Sequence, residues 1–290
     1  MNGSHAPELT NLLREISEDI AKNIIKEGKP IMLIDEYSWY REVLSLMSKQ
    51  VNLCDSCVLL LENGMEQEAY LLARSQFNNT LWIKYLCEAE EGDNSRLKEF
   101  YYQPYINQLK LNKNLRKLIQ DFGDALDDKC KSEEIISGLD SSSEAIQRTL
   151  DRENVGTKTK SIAELAKQDS LLFSMYVTLY NEGSKFEHSD ISTTKLYRKQ
   201  ATGECSSDQA FIFDLGDSNE ECWFKVFNYS LMSLYWAFDS ISNRIQNRES
   251  QLFEPTPYGR GAYSKKDFTD IILKFKYCTK MCEDIEKNKK

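Results

Sequence analysis

Apolar side chains recur along this chain at spacings of three and four, the period of helices with one buried face. Leu9, Leu12, Leu13, Ile16, Ile20 and Ile24 keep that period from Pro7 to about Lys26, and Gly28 with Pro30 ends the run. Trp39, Val43, Leu46, Met47, Val51, Leu53, Val58 and Leu61 predict a long second helix from about Asp35 to Asn63, stopped at Gly64. A third helix, from about Glu66 to Glu90, follows a link of one or two residues. So short a link predicts an antiparallel hairpin. Residues 94–122 read as helix broken near Pro104.

The pattern then changes. Residues 123–160 are rich in Asp, Glu, Ser and Lys and read as a peripheral polar insertion. Within it Ser141 to Glu144 has the form of a capping box for a short helix to about Arg152. A second box, Ser161 to Glu164, opens another helical stretch, and Asp169 re-caps a longer helix to about His188. Residues 189–219 form a long loop, with Ala210 to Leu215 as a short extended segment. Trp223, Phe227, Leu231, Leu234, Phe238, Ile241 and Ile245 mark a long amphipathic helix from Asn219 to about Arg248. Residues 250–264 are a loop containing Pro and Gly, and Lys265 to Lys287 is a final helix. The expectation is one all-α domain over residues 1–290, an antiparallel bundle with one extended excursion near 189–219.

Composition supports this. Gly (12) and Pro (5) together stand at about half their average share of roughly 12%. Sandwiches, barrels and propellers need more of both for their turns. The net charge of −9 argues against bulk DNA binding and leaves room for a local basic patch. No N-terminal stretch has the basic-then-apolar form of a signal peptide. The aromatic run Trp223–Phe238 is interrupted by Lys225, Asn228, Ser230 and Ser233 and is too short to span a bilayer. A cytosolic chain without membrane contact is expected. Its eight cysteines then read as free, buried thiols. Cys54 and Cys57 have the spacing of half a zinc site, but no second knuckle accompanies them. No metal or cofactor site is expected, and GxSxG, GxGxxG, HExxH and EF-hand patterns are absent.

Two histidines narrow the chemistry. His5 lies near the N-terminus, so a mechanism needing imidazole would use His188. Leu172, Tyr176, Tyr180, Ser184 and His188 stand four apart and form one helical stripe that turns polar toward its end, with Gly183 beside it. Arg74 sits in an apolar stretch with Tyr70, Leu71, Phe77 and Asn78 one turn away and Leu81 two turns away. Such a position calls for a carboxylate, carbonyl or phosphate partner. Arg74 and the 180–188 stripe are expected to face each other, either as a site or as a structural network. A second candidate is the basic face of Lys110, Lys113 and Lys117, with Arg116 nearby and Tyr101, Tyr102 and Tyr105 upstream. It would suit nucleic acid, or be a solvated helix face. A third is Arg260 in Gly259-Arg260-Gly261, an anion-binding candidate without the spacing of a P-loop.

These residues carry a resemblance. The segment Ala69 to Tyr85, with Arg74 and Phe77, and the segment Tyr180-Asn-Glu-Gly-Ser184-Lys-Phe-Glu-His188 resemble two helices of the bacterial family catalogued as domain of unknown function 5677, over roughly residues 45–190. That family is similar in layout to the HEPN helical domains of toxin and phage-defence systems, many of which are metal-independent RNases. The resemblance implies an endoribonuclease acting on RNA, with His188 as general acid/base and Arg74 stabilising the phosphorane, beside Tyr180 and Ser184. The chain departs from the usual R-x4-6-H pattern. Asn181, Glu182, Gly183 and Ser184 occupy the positions before His188, and Lys185 is the nearest cation. Arg74 would have to supply the cation from another helix. Two alternatives stand beside this reading. One is a non-catalytic module that forms a homodimer or holds a partner through helix 219–248 or loop 189–219. The other is a sensor of an anionic ligand such as a nucleotide.

Overall fold

The periodic runs fold as helices in a computed structural model that describes residues 5–28, 38–90, 92–122, 129–187, 198–200, 211–213, 220–248, 263 and 265–288. Helix α1 spans Ala6–Ile20 and runs on into one π turn, Ala21–Ile25. Pro7 lies in its first turn, where a missing N–H costs nothing. Helix α2 is Trp39–Glu62 and α3 is Glu66–Cys87. Their link turns at Gly64, whose φ of 68° suits a residue without a β-carbon. Helices α4 (Ser95–Tyr101) and α5 (Gln103–Phe122) follow. The break falls at Tyr102, and Pro104 is tolerated in the first turn of α5. Next come α6 (Lys129–Arg152), α7 (Ile162–Ala166) and α8 (Ser170–Glu187). The Asp169 carboxylate accepts from the amides of Leu171 and Leu172, at 2.9 and 3.2 Å, and so caps α8. Strand β1 (Arg198–Gln200) pairs antiparallel with β2 (Phe211–Phe213), Arg198 opposite Phe213. Helices α9 (Glu220–Arg248) and α10 (Lys265–Asn288) complete the order. The architecture is all-α, with a short extended pair inside the excursion expected at 189–219.

Helix α6 corrects one expectation. Ser141 to Glu144 lies inside it rather than at its start. The helix begins more than two turns earlier because α5 gives it a surface to pair with.

The chain divides into two compact units. The first holds residues 1–34, 40–88 and 162–290. Here α9 makes the most extensive helix contact, along α3, while α8 and α7 also pack on α3 and α1 packs on α10. Its core is built from Leu9, Leu13, Ile16 and Ile20 of α1, Val43, Met47 and Val58 of α2, Ala73 and Phe77 of α3, Phe227, Leu234 and Phe238 of α9, and Phe268, Ile271 and Phe275 of α10. By length and composition α2 is apolar enough to cross a membrane; here Val43, Met47, Cys54 and Val58 are buried within the unit. A string of polar groups threads this core. Gln50 donates to the Thr80 hydroxyl at 3.0 Å, and Asn79 donates to the Gln50 amide oxygen at 2.9 Å and to the Leu46 carbonyl at 2.7 Å. The Thr80 hydroxyl lies 2.8 Å from the Ser233 carbonyl. The string thus ties α2, α3 and α9 at one level.

The second unit holds residues 35–39 and 89–161 and centres on the α5–α6 hairpin. Tyr102, Ile106 and Leu150 form its small core, with Leu109, Ile146 and Val155 against it. Farther out the pairing is polar. Asn112 donates to Ser142 and Ser143 at 3.3 and 3.1 Å, and Arg116 bonds Asp140 at 2.7 Å.

Candidate functional site: an arginine on an aromatic face

The polar residues of α3 and α8 meet along the seam between the two helices. Arg74 and Asn78 stand one turn apart on α3, and Tyr70 lies one turn before them. The helices run antiparallel, so Tyr70 faces the Glu182 level of α8 and Asn78 faces Tyr180. The Arg74 guanidinium lies over the Tyr180 ring, its central carbon 4.1 Å from the ring centroid. This is a cation–π contact in a half-buried setting. The Tyr180 hydroxyl donates to the Asn78 amide oxygen. Burial pushes the Tyr180 phenol above its ordinary value, against the opposing pull of its bonds to Arg74 and Asn78, so it stays protonated and donates.

Gly183 sets how closely the helices approach. A β-carbon there would stand 3.3 Å from the Tyr70 ring and 3.5 Å from Cδ of Arg74. The Tyr70 ring fills that space, edge-on to Tyr229 with centroids 5.7 Å apart. Its hydroxyl donates to Glu182 at 2.8 Å. Burial and the neighbouring Glu182 carboxylate raise the Tyr70 phenol far above its usual range. Glu182 also meets Lys225 of α9 at 3.6 Å, and Lys225 reaches Glu221 at 2.9 Å. The Tyr70–Glu182–Lys225 chain is part of the site that spacing alone did not pick out. The signal available was a carboxylate next to the stripe's glycine.

The expected facing of Arg74 and α8 is present as far as Tyr180 and Gly183. Over Arg74 lies the aromatic face of Tyr180. Tyr176 continues the stripe, its ring 4.4 Å from that of Tyr180, and Ser184 lies half-buried one turn beyond. His188, Arg260 and the Lys185 side chain lie outside the described residues. Lys110, Lys113 and Lys117 are exposed on α5 and belong to the second unit, whereas Arg74 and Tyr180 belong to the first. Lys110 donates to the Thr159 hydroxyl at 3.1 Å.

Among the described residues Cys54, Cys57, Cys87, Cys278 and Cys282 are buried like small apolar residues. Cys54 and Cys57 are fully buried. Burial pushes the Cys57 thiol up to about 12 and raises Cys54 as well. Among the described residues no group of three His, Cys, Asp or Glu side chains stands at metal-binding distance.

Arg74 and Asn78 stand one turn apart beside the Tyr180 ring. Such a pair suits a phosphate or carboxylate group. No curated protein and no solved structure matches this chain. The family described as a family of unknown function, DUF5677, matches residues 40–204, a span that includes α3 and α8 but not Glu221, Lys225 and Tyr229 of α9. The chain belongs to that family.

Proposed function

We propose that the Arg74–Asn78–Tyr180 seam binds a phosphate-bearing ligand and that, with His188, it cleaves RNA. The carrying observation is the guanidinium held over the Tyr180 ring. A cation fixed in this way needs little reorganisation as charge develops on a phosphorane. His188 takes the proton of the attacking 2′-hydroxyl, the bond to the 5′-oxygen breaks, and the protonated imidazole returns the proton to that oxygen. His188 follows the last residue of α8, two helical turns in sequence beyond Tyr180.

Incubation of the purified chain with total RNA tests this reading. The wild-type chain is expected to cleave. His188→Ala and Arg74→Ala are each expected to lose about a hundredfold or more. Cleavage that persists in His188→Ala excludes the role given to that residue. A non-catalytic reading is favoured by one observation: both phenols at the seam, Tyr70 and Tyr180, are committed to hydrogen bonds between α3 and α8. In that case Arg74 holds an anionic ligand without cleaving it. A nucleotide that raises the thermal midpoint of the wild type, but not of Arg74→Ala, supports that reading when no RNA is cleaved.

A further inference from the structure

Helix α8 carries a row of aromatic rings along the side that meets Arg74. Phe173, Tyr176 and Tyr180 follow spacings of three and four, so they share one side of the helix over about 10 Å. Leu172, Met175 and Leu179 take the core side, and the rings stay half-buried at its margin. The rings meet in series. Phe173 and Tyr176 have centroids 6.0 Å apart and planes within 15° of parallel. Tyr176 and Tyr180 follow at 4.4 Å and 37°. Fully overlapping rings would stand about 3.5–4 Å apart, so Phe173 and Tyr176 leave part of each face uncovered. A cation closes each end of the row. Arg74 lies 4.1 Å over Tyr180, and Nζ of Lys167, just after α7, lies 5.9 Å over Phe173. Lys167 is exposed, and among the described residues no carboxylate pairs with it. Asp169 and Glu182 do not cancel these cations. Asp169 caps α8 and meets Lys84, and Glu182 accepts from Tyr70 and meets Lys225.

Rings between cations match the chemistry of one kind of ligand. A single nucleic-acid strand carries phosphates at intervals along its backbone and planar bases between them, so cations can hold the first and ring faces the second. A small anion would use one cation and leave the rings idle. A duplex keeps its base faces inside its own stack and offers the rings nothing. The unpaired strand is the ligand that uses both ends of the row and its middle.

We propose that the track Arg74–Tyr180–Tyr176–Phe173–Lys167 is a stacking subsite for the unpaired bases of a single RNA strand whose phosphates meet the two cations. It rests on the reading of Arg74 as a phosphate site and adds the course of the strand, along α8 toward Lys167 and away from the end that His188 follows in sequence. The test is fluorescence anisotropy of the full chain with a labelled 2′-O-methyl oligoadenylate of about ten nucleotides. This strand lacks the attacking 2′-hydroxyl, so binding is read apart from cleavage. Saturable binding below about 100 μM is expected, about tenfold or more tighter than that of the same strand paired with its complement or of an abasic strand of equal length. Phe173→Leu and Tyr176→Leu are each expected to weaken binding about tenfold, and Tyr176→Phe, which keeps the ring, to leave it unchanged. Lys167→Glu alters an exposed side chain, so its circular dichroism spectrum should match the wild type while binding weakens about tenfold. With two phosphate contacts, the logarithm of affinity should fall against the logarithm of salt with a slope of about −1.4. No binding, equal binding of the duplex or the abasic strand, wild-type affinity in Tyr176→Leu and Lys167→Glu, or a slope steeper than about −2 overturns the proposal. Cleavage of ordinary RNA, measured in parallel, separates the two readings. Binding without cleavage overturns the RNase reading alone, and cleavage at wild-type KM in Phe173→Leu and Tyr176→Leu overturns the track alone.

Discussion

Arg74 and Tyr180 hold each other in two ways that substitution can separate. Tyr180→Phe keeps the ring under the guanidinium and loses the bond to Asn78, so a cost of about 1 kcal/mol is expected in urea denaturation. Tyr180→Leu removes the aromatic face too, and it should cost more and weaken any Arg74-dependent ligand binding; equal costs for the two variants would show that the ring contributes nothing. Gly183→Ala sets a helix gain of about 1 kcal/mol against crowding. The Tyr70 ring, 3.3 Å from the new carbon, is pinned by Tyr229 and Glu182 and has little room to yield. A net loss of about 1–2 kcal/mol is expected, and a gain would mean that the seam is looser than its geometry indicates. Arg74 and Tyr180 were legible in the sequence because a charge in an apolar stretch and a polar end to a helical stripe break the surrounding pattern. Glu182 was not, since a glutamate near a helix end looks like any solvated charge until Tyr70 and Lys225 are seen beside it.

Among the elements, α1, α2, α3, α9 and α10 follow the apolar period closely, because each buries one face in a shared core. The extent of α6 was not legible. It is held beyond its small apolar base by Asn112–Ser143 and Arg116–Asp140, and polar pairs leave no hydrophobic period to read. The string through Gln50, Asn79 and Thr80 was hidden for the opposite reason: three scattered polar residues inside long apolar helices look like surface positions. Gln50→Leu leaves the Thr80 and Asn79 groups short of a partner in the core, and a loss of about 1–3 kcal/mol is expected by chemical denaturation. Full wild-type stability in that variant would show that the string is dispensable.

Across the whole molecule, buried thiols tie stability to alkaline pH. Thiols titrate near 9 when exposed, and burial raises Cys57 and Cys87 to about 12. Below about 9 both the folded and the unfolded chain keep these protons, and the full stability is present. Between about 9 and 12 the unfolded chain gives up protons that the folded chain retains, so stability falls as pH rises. The thermal midpoint is expected to drop over that window, with a shallower slope in Cys87→Ala; a midpoint flat from about pH 8 to 11 contradicts this. The end of α1 carries a different consequence. Its π turn leaves the Ile24 carbonyl to accept from the hydroxyl of Tyr263, at 2.8 Å and 239 residues downstream. Tyr40 joins the same phenol, and α10 covers the α1 face. During synthesis, then, α1 waits unfinished until Tyr263, 239 residues beyond Ile24, and α10 after it have left the ribosome. Over that interval Leu9, Leu13, Ile16 and Ile20 lack the surface that will cover them, so a nascent chain stalled before α10 should be a favoured client of chaperones that hold exposed apolar segments.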